Sequence, residues 1–192
     1  MIDPTIDIAV QPANEMQRIL ALSEFDLDYS SIHESLSDLT QLASSITGMP
    51  ISFINLIDSY HQWSVGTRGM EILESPREDS VCQYTILEEN QDGFEVVDLS
   101  QDSRFKDKDY VVEDPSLRYY YGVPLKVKGD LAIGALCVLD SKASHLSDEK
   151  KEMLKHLASV VTNRLNLLKT QKLLEDNVAD AQRITRKLAH DI

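Results

Sequence analysis

The chain has 192 residues, of which 42% are hydrophobic and 27% are charged, as expected for one globular domain with an appendage. Its formal net charge of −13 argues against a nucleic-acid surface and against an anionic membrane surface. No apolar run is long enough to predict membrane insertion. Two cysteines and no signal peptide predict a reducing, cytoplasmic location.

Two helices are predicted near the N-terminus, after a flexible leader at residues 1–11. The first, over 12–22, begins with a proline that suits a first helical turn, and its apolar face holds Met16, Ile19, Leu20 and Leu22. The second, over 31–47, stops before Gly48. Its apolar residues recur at helical spacing and pack either on the domain's own sheet or on a second copy: Ile32, Leu36, Leu39, Leu42, Ala43 and Ile46.

The middle of the chain alternates strands, loops and a short helix. Large apolar and β-branched residues predict a strand over 50–57, and a polar turn leads to its partner strand over 62–67. The following segments are assigned from their polarity and patterning: a loop at 71–79, a short helix at 80–87, a strand at 94–99 and an acidic loop at 100–109.

The most informative stretch is residues 118–140, which predicts two strands joined by a tight turn. Apolar and aromatic residues alternate along the first strand, as expected where one face meets a core. The turn falls at Gly129, which can adopt positive φ. The second strand is almost wholly apolar, as in a strand covered on both faces. Gly134 within it predicts a close backbone approach or a bulge.

A long helix is predicted from Ser147, a good N-cap, to the end of the chain, because no Gly or Pro follows. At 1.5 Å per residue it would span roughly 66 Å, which is too long to pack on one small domain. Apolar residues at every seventh position predict a parallel dimeric coiled coil with these d positions: Met153, Val160, Leu167, Leu174, Ala181 and Leu188. The a positions Arg164, Gln171 and Thr185 are polar, which suits a coiled coil that must change its register or rotation during signalling.

Taken in order, these segments resemble a GAF domain of the group that precedes bacterial sensor histidine kinases. The resemblance covers roughly residues 15–168 and implies an α/β (α+β) fold, with a central antiparallel sheet of five or six strands flanked by helices. It implies a sensor domain over 12–146 and a signalling and dimerisation helix over 147–192. It rests on YYYGVPL and IGALCVLD in the hairpin and on PISFINLID (50–58), QWSV (62–65), SPREDSVCQYTI (75–86) and VVDLSQDSRF (96–105).

The GAF resemblance implies a small-molecule cavity. The ligand is unknown, and neither a cofactor nor a metal site is evident. The Asn-Lys-x-x-x-Phe-x-x-x-Asp-Glu signature of cyclic-nucleotide-binding relatives is missing. The candidate ligand-binding residues are Trp63, Arg77, Cys82, Asp98, Arg104 and Tyr121. Asp98, Arg104 and Arg77 are suited to hold a polar ligand group, or else they form surface ion pairs.

Cys82 allows a different interpretation, because some GAF relatives attach a bilin to a cysteine and others reduce methionine sulfoxide with cysteines. No histidine or basic residue neighbours Cys82 in the sequence to lower its thiol pKa. Turnover would also need a second nearby cysteine, and the other cysteine, Cys137, falls within a predicted core strand. A structural or cavity-lining role for Cys82 is therefore preferred.

The chain ends in Leu-Ala-His-Asp-Ile, which resembles the start of the phosphoacceptor box of histidine kinases. The resemblance implies that His190 accepts a phosphoryl group and that Asp191 orients the ring and accepts its proton. With Leu188 at d, His190 falls at the outermost f position, where a kinase domain can reach it. The remaining kinase motifs do not follow, so this chain alone is expected neither to bind ATP nor to autophosphorylate. ATP would act only through a kinase domain outside it.

The expected function is the cytoplasmic sensory and dimerisation region of a two-component sensor histidine kinase. A signal in the GAF cavity would pass through the coiled coil to His190. The implied partners are a second copy of the chain, the ATP-binding domain of the kinase and a response regulator. Two alternatives stay open: a ligand-free GAF module for dimerisation or interaction, and a Cys82-dependent chromophore or redox domain.

Overall fold

The computed structural model describes residues 9–25 and 28–190. Its strands are β1 Ile51–Ile57, β2 His61–Arg68, β3 Glu74–Pro76, β4 Phe94–Val96, β5 Tyr119–Val127 and β6 Leu131–Asp140. Its α-helices are α1 Glu15–Ser23, α2 Tyr29–Thr47, α3 Cys82–Thr85, α4 Asp109–Val112 and α5 Asp148–His190. The strands pair antiparallel in one sheet of order β3-β2-β1-β6-β5-β4. The predicted fold class, an antiparallel sheet with flanking helices and a long C-terminal helix, is confirmed.

The predicted hairpin is confirmed as β5 and β6, which pair along their whole length. Gly129 in the turn has a φ of 78°, a conformation that glycine adopts without a steric penalty. β6 lies between β1 and β5 and is covered on both faces. A Cβ atom at Gly134 would lie 1.9 Å from the main-chain oxygen of Asn55, so the predicted close backbone approach is confirmed.

The predicted loop at 71–79 contains a short edge strand, β3, that the sequence analysis missed. β3 pairs with the start of β2, where His61 lies opposite Pro76. An edge strand tolerates a proline because no further strand needs the missing N–H. Two other predicted elements are shorter than expected: the helix at 80–87 spans Cys82–Thr85, and the strand at 94–99 spans Phe94–Val96.

Two hydrophobic cores lie on opposite faces of the sheet. One face packs against α1, α2 and α5, through side chains that include Leu22, Leu36, Tyr119, Tyr121, Leu136 and Leu157. The other face packs against α3, α4 and their connecting loops, through side chains that include Phe53, Cys82, Val111, Tyr120, Ala135 and Cys137. Consecutive residues of β5 therefore serve different cores, as expected for a strand.

α1 turns only part of its predicted apolar face to the sheet, where Leu22 is buried. Met16 and Leu20 are 70% and 60% exposed, whereas Arg18 is fully buried. Arg18 donates hydrogen bonds to both carboxylate oxygens of Glu15 and to the main-chain oxygen of Ile57. The prediction was wrong for Met16 and Leu20 because it ranked side chains by their apolar character and helical spacing alone. It does not anticipate a buried arginine whose charge is paired on its own helix.

α5 has two parts with different surroundings. Its first part packs on the sheet through Leu154, Leu157, Ala158, Val161 and Leu165. Arg164, predicted at an a position of the seam, instead donates a hydrogen bond of 2.6 Å to the main-chain oxygen of Ser35 on α2. From residue 173 to residue 189 every side chain is exposed. The six apolar d positions are exposed along the whole helix, and we call them the d stripe. The coiled coil and the parallel dimer stay predictions.

The two ends of the chain are only partly described. Residues 1–8 of the predicted leader and Asp191 lie outside the described residues. Val10 is attached to the domain, since its N–H donates to Gln83 Oε1 at 2.7 Å and its carbonyl accepts from Arg77 at 2.9 Å. The proposed boundary between 12–146 and 147–192 stays a prediction, and α5 begins one residue after the predicted N-cap.

Candidate functional site

A cavity of about 570 Å³ lies on the face of the sheet that carries α3 and α4. Its floor is buried and includes Phe53, Asn55, Cys82, Tyr120, Cys137 and Leu139. Its rim includes exposed residues between positions 107 and 115. The cavity therefore runs from the protein interior to the solvent, and its volume lies in the range of small-molecule sites.

A cluster of polar groups lies at the cavity floor. Asn55 Nδ2 is 3.4 Å from Cys82 Sγ and 3.8 Å from Cys137 Sγ, while Asn55 Oδ1 accepts a hydrogen bond of 2.8 Å from the Ser64 hydroxyl. The Tyr120 hydroxyl donates to Cys82 Sγ at 3.1 Å. Because these groups are buried, each hydrogen bond strengthens and orients its neighbours.

The two cysteines of the chain meet in this cluster, with their sulfur atoms 3.8 Å apart. Burial raises the pKa of the Cys82 thiol, but hydrogen bonds from Cys137, Tyr120 and Asn55 outweigh burial and place this pKa below its ordinary value. Burial and the neighbouring Cys82 raise the pKa of Cys137 well above its ordinary value. Cys82 is therefore the thiol of the pair that ionises first.

The rim of the cavity is acidic. Lys108 Nζ pairs with the Asp79 carboxylate at 2.9 Å, and the Tyr110 hydroxyl donates to the Asp79 carbonyl at 2.8 Å. Burial and the charge of Asp79 raise the pKa of Tyr110, which keeps its hydroxyl protonated as a donor. The exposed carboxylates of the rim belong to Asp107, Asp109, Glu113 and Asp114. Their negative potential opposes the entry of anions.

Of the six residues predicted to bind a ligand, Cys82 lines this cavity. Tyr121 belongs to the core on the opposite face of the sheet, and its hydroxyl donates to the Asp92 carbonyl at 3.2 Å. Trp63 packs against that same core, and its indole N–H donates to Asp58 Oδ2 at 2.8 Å. A ligand-binding role for Cys82 stays a prediction, and Tyr121 and Trp63 have structural partners elsewhere.

The structure does not bring Arg77, Asp98 and Arg104 together at the cavity. Arg77 is fully buried and binds Glu15. Asp98 accepts a hydrogen bond of 3.0 Å from Ser100 N and caps a 3-10 turn. Arg104 pairs with Asp102 and lies over aromatic rings, beside a second, polar cavity of about 440 Å³. Each of the three therefore has its own local role.

The sequence analysis did not select Asn55 or Tyr120, which the structure places at the cavity floor. A signal for Asn55 was available, because it is a polar residue inside a strand buried at every position. Tyr120 could have been found from strand alternation once the faces of β5 were known, since Tyr119 and Tyr121 point to the opposite core.

The predicted phosphoacceptor lies at the far end of α5. His190 is the last residue of this 43-residue helix, and its neighbour Asp191 lies outside the described residues.

Within residues 9–25 and 28–190, no three His, Cys, Asp or Glu side chains are grouped to hold a metal ion. Over the same ranges, no helix has the length and apolar character needed to cross a membrane.

Comparison with curated proteins identifies a relative with a known activity. A cyclic di-GMP phosphodiesterase of Pseudomonas aeruginosa is 32% identical over 166 residues. The match covers 86% of this chain and 28% of the relative. The chain thus spans less than a third of that protein's length.

Comparison with solved structures identifies the fold. The GAF domain of a phosphoenolpyruvate-protein phosphotransferase from Coxiella burnetii has a TM-score of 0.61 at 12% identity, over 84% of this chain and 99% of that one. A domain of a protein described as a two-component sensor histidine kinase, from Sinorhizobium meliloti, has a TM-score of 0.58 at 12% identity, over 75% and 97%. The free methionine-R-sulfoxide reductase of Neisseria meningitidis has a TM-score of 0.57 at 15% identity, over 82% and 88%.

At these identities the solved structures show a shared fold and no more. The sequence match is more specific, because the GAF domain family matches residues 31–165, which is more than half of the chain. GAF domains are sensory modules, and both comparisons agree with the antiparallel sheet and flanking helices described above. The chain belongs to the GAF domain family.

Proposed function

We propose that this chain is the sensory and dimerisation region of a signalling protein, in which a small molecule bound in the cavity changes the position of α5. The observation that carries the proposal is the placement of the cavity and α5 on opposite faces of the same strands. Strand β5 contributes Tyr120 to the cavity floor and Tyr119 to the core beneath α5. A displacement of β5 therefore acts on both.

Glu95 on β4 provides a second connection between the sheet and α5. Its carboxylate accepts hydrogen bonds from the Tyr119 hydroxyl at 2.7 Å, from Leu146 N at 3.2 Å and from Lys151 Nζ at 2.6 Å. Tyr119 is adjacent in sequence to Tyr120 at the cavity floor. A ligand that shifts Tyr120 would change these contacts and so move the start of α5. Coupling of this kind amounts to about 1–3 kcal/mol in known systems.

The charges of the rim favour one class of ligand. Four exposed carboxylates of the segment 107–114 line the cavity, and Lys108 is already paired with Asp79. A neutral or cationic molecule therefore fits the cavity better than a nucleotide, whose phosphates would meet like charges. The missing cyclic-nucleotide signature supports the same preference.

The signal would be passed on by a cytoplasmic two-component histidine kinase of which this chain is a part. His190 would be its phosphoacceptor and Asp191 the assisting acid–base residue. Support comes from the tail sequence Leu-Ala-His-Asp-Ile and from a helix that continues unbroken to His190. The partners would be a second copy in a parallel dimer, an ATP-binding kinase domain and a response regulator. The exposed d stripe is the surface on which that dimer would form.

Two other candidates remain. The relative that is 32% identical is a cyclic di-GMP phosphodiesterase, so α5 could instead lead into an output domain of that class. A ligand-free module that only passes on dimer rearrangements fits less well, because a cavity of about 570 Å³ has the size of a binding site. With a phosphodiesterase-type output, His190 would be an ordinary helical residue.

Native mass spectrometry of freshly purified protein tests the sensory proposal. We expect a dimer that retains a small molecule, or a protein whose melting temperature rises with a member of a panel of neutral and cationic metabolites. Cyclic di-GMP and cyclic AMP serve as anionic comparisons. Met70→Trp narrows the cavity and should abolish binding, while Met16→Trp, on the exposed side of α1 and away from the cavity and the d stripe, should not. The proposal is contradicted if both variants bind the ligand equally well. It is also contradicted if neither the wild type nor the variants bind any ligand.

The kinase output needs a separate test on the polypeptide encoded by the natural gene. Incubation with radiolabelled ATP should give an acid-labile, base-stable phosphate, as a phosphohistidine does. His190→Gln should remove the label and leave the melting temperature unchanged. Label that persists in His190→Gln, or no label in the wild type, would favour the phosphodiesterase-type output.

A further inference from the structure

The two cysteines meet at the cavity floor although 55 residues separate them in the sequence. Cys82 lies on α3 and Cys137 at the middle of β6, and their sulfur atoms are 3.8 Å apart. Both side chains are almost fully shielded from bulk solvent, at 3% and 1% exposed, yet both line the cavity. A molecule small enough to enter the cavity can therefore reach both sulfur atoms, whereas a large reagent cannot.

We propose that Cys82 and Cys137 are a redox-active pair, which a hydroperoxide entering the cavity converts into a reversible intramolecular disulfide. The sulfur atoms already lie close, and a disulfide bond of about 2.0 Å needs only a modest approach of the two side chains. This redox chemistry is separate from the binding of a signal molecule in the cavity and does not depend on it. It also requires no second protein.

The reaction is a balanced two-electron oxidation. The Cys82 thiolate attacks the terminal oxygen of the hydroperoxide and the O–O bond breaks. The departing hydroxide of hydrogen peroxide, or the alkoxide of an organic hydroperoxide, takes up the proton released from Cys82 to form water or an alcohol. Cys82 then carries a sulfenic acid. Cys137 attacks the Cys82 sulfur, the S–O bond breaks, and the second hydroxide leaves as water with the proton of Cys137. Two thiols are oxidised and one hydroperoxide is reduced. A dithiol reductant reverses the change.

The surroundings assign different roles to the two thiols. Cys82 accepts hydrogen bonds from the Tyr120 hydroxyl at 3.1 Å and from Asn55 Nδ2 at 3.4 Å, which stabilise a thiolate. The Tyr120 oxygen is also 2.7 Å from Thr85 Oγ1, and when the Thr85 hydroxyl donates to it, the single Tyr120 hydrogen is directed at Cys82. These donors lower the pKa of Cys82, while the pKa of Cys137 is raised. Cys82 is the attacking thiol and Cys137 the resolving one.

The disulfide would have a structural consequence. It would join α3 covalently to the central strand β6 and remove the thiolate that Tyr120 and Asn55 stabilise. Because both elements line the cavity, its shape would change with oxidation. The redox state of the pair would thus alter the surface that faces a cavity ligand.

Treatment of the folded chain with hydrogen peroxide, followed by alkylation under denaturing conditions, tests the proposal. We expect the loss of both alkylatable thiols, an intact mass lower by two hydrogens, and a non-reducing digest that links the peptides of Cys82 and Cys137. Dithiothreitol should restore both thiols. Retention of two free thiols in folded protein, or disulfides between chains, would overturn the proposal whatever the ligand experiments show.

Single variants test the order of the two steps. In Cys137→Ser, oxidation should stop at a sulfenic acid on Cys82, trapped by dimedone. In Cys82→Ser, the Cys137 thiol should remain alkylatable at the same peroxide concentration. Equal oxidation of both variants would contradict the assigned roles. Far-ultraviolet circular dichroism checks that each variant is folded, and the wild-type mass measurement stands independently of both.

Discussion

Arg77 donates a hydrogen bond of 3.2 Å to Glu15 and so joins the loop before α3 to the first helix, 62 residues earlier in the chain. Arg77 is fully buried, and so is Arg18, which binds the same carboxylate. Glu15 thus offsets two buried positive charges. This triad fixes α1 to the sheet, because the two arginines also donate to the carbonyls of Asp58 and Ile57.

Replacement of Glu15 by alanine should destabilise the domain strongly. Removal of the carboxylate leaves two buried guanidinium groups without their anionic partner, and loss of one member of a buried ion pair costs about 3–5 kcal/mol. Urea unfolding monitored by circular dichroism measures the change. Glu152→Ala is the control, because Glu152 pairs with Lys155 on an exposed helix face and should matter by less than about 1 kcal/mol. Similar effects of both variants would contradict the assignment.

The same triad predicts a loss of stability in acid. Partial burial raises the pKa of Glu15, but hydrogen bonds and charges from Arg18 and Arg77 outweigh it, so the pKa lies below the ordinary value of 4.5. A carboxylate with a lowered pKa contributes its stability above that ordinary value and loses it as the pH falls through the folded-state pKa. The unfolding free energy of the wild type should fall more steeply below about pH 4.5 than that of Glu15→Ala. Parallel pH profiles would refute this.

Gly134→Ala should separate two central strands. The new Cβ would lie 1.9 Å from the main-chain oxygen of Asn55, and backbone cannot move as a flexible side chain does. We expect a loss of about 3 kcal/mol or more, at the upper end of overpacking effects. Gly129→Asn is the control, because no atom lies within 4 Å of a Cβ there and asparagine tolerates positive φ. Thermal unfolding compares them, and a stable Gly134→Ala protein would contradict the close approach.

Glu95→Gln should loosen the start of α5 without unfolding the sheet. Burial raises the pKa of Glu95, but hydrogen bonds from Lys151, Tyr119 and Leu146 outweigh it and keep the carboxylate charged. A glutamine weakens the charge-assisted bond to Lys151, which in general contributes about 1.5–3 kcal/mol. Hydrogen exchange of the amides at 147–158 should accelerate, while exchange in β6 stays unchanged. Uniform acceleration would indicate global destabilisation instead. Glu152→Gln serves as the exposed control.

Leu174→Asp tests the predicted coiled coil. Leu174 and the adjacent Leu173 are 63% and 61% exposed, but only Leu174 lies on the d stripe. A charge at d should weaken dimerisation by about tenfold or more, which corresponds to about 1.4 kcal/mol. Leu173→Asp carries the same substitution one position away and should leave the dimer intact. Sedimentation equilibrium measures both, and equal effects would exclude the heptad register.

Several features of the fold could be predicted because they depend on local patterns. Alternation along β5 and the apolar run of β6 predicted the hairpin, and Gly134 predicted the close approach to a neighbouring strand. The long helix followed from an N-cap and the absence of Gly and Pro. β3 was missed because three residues at a sheet edge carry no period. Of the six residues predicted to bind a ligand, Cys82 lines the cavity of about 570 Å³, and the binding roles of all six stay predictions.

The amino-acid sequence alone determined the elements that a short stretch of chain can specify, together with the family that their order indicates. Only the tertiary structure decided which distant side chains meet. Cys82 and Cys137, separated by 55 residues, share one cavity floor because α3 folds over β6. On the side of α1 that meets the sheet, Arg18 is buried where an apolar residue was expected, because Glu15 pairs with its charge there. Such contacts arise from the packing of whole elements, and local periodicity contains no information about them.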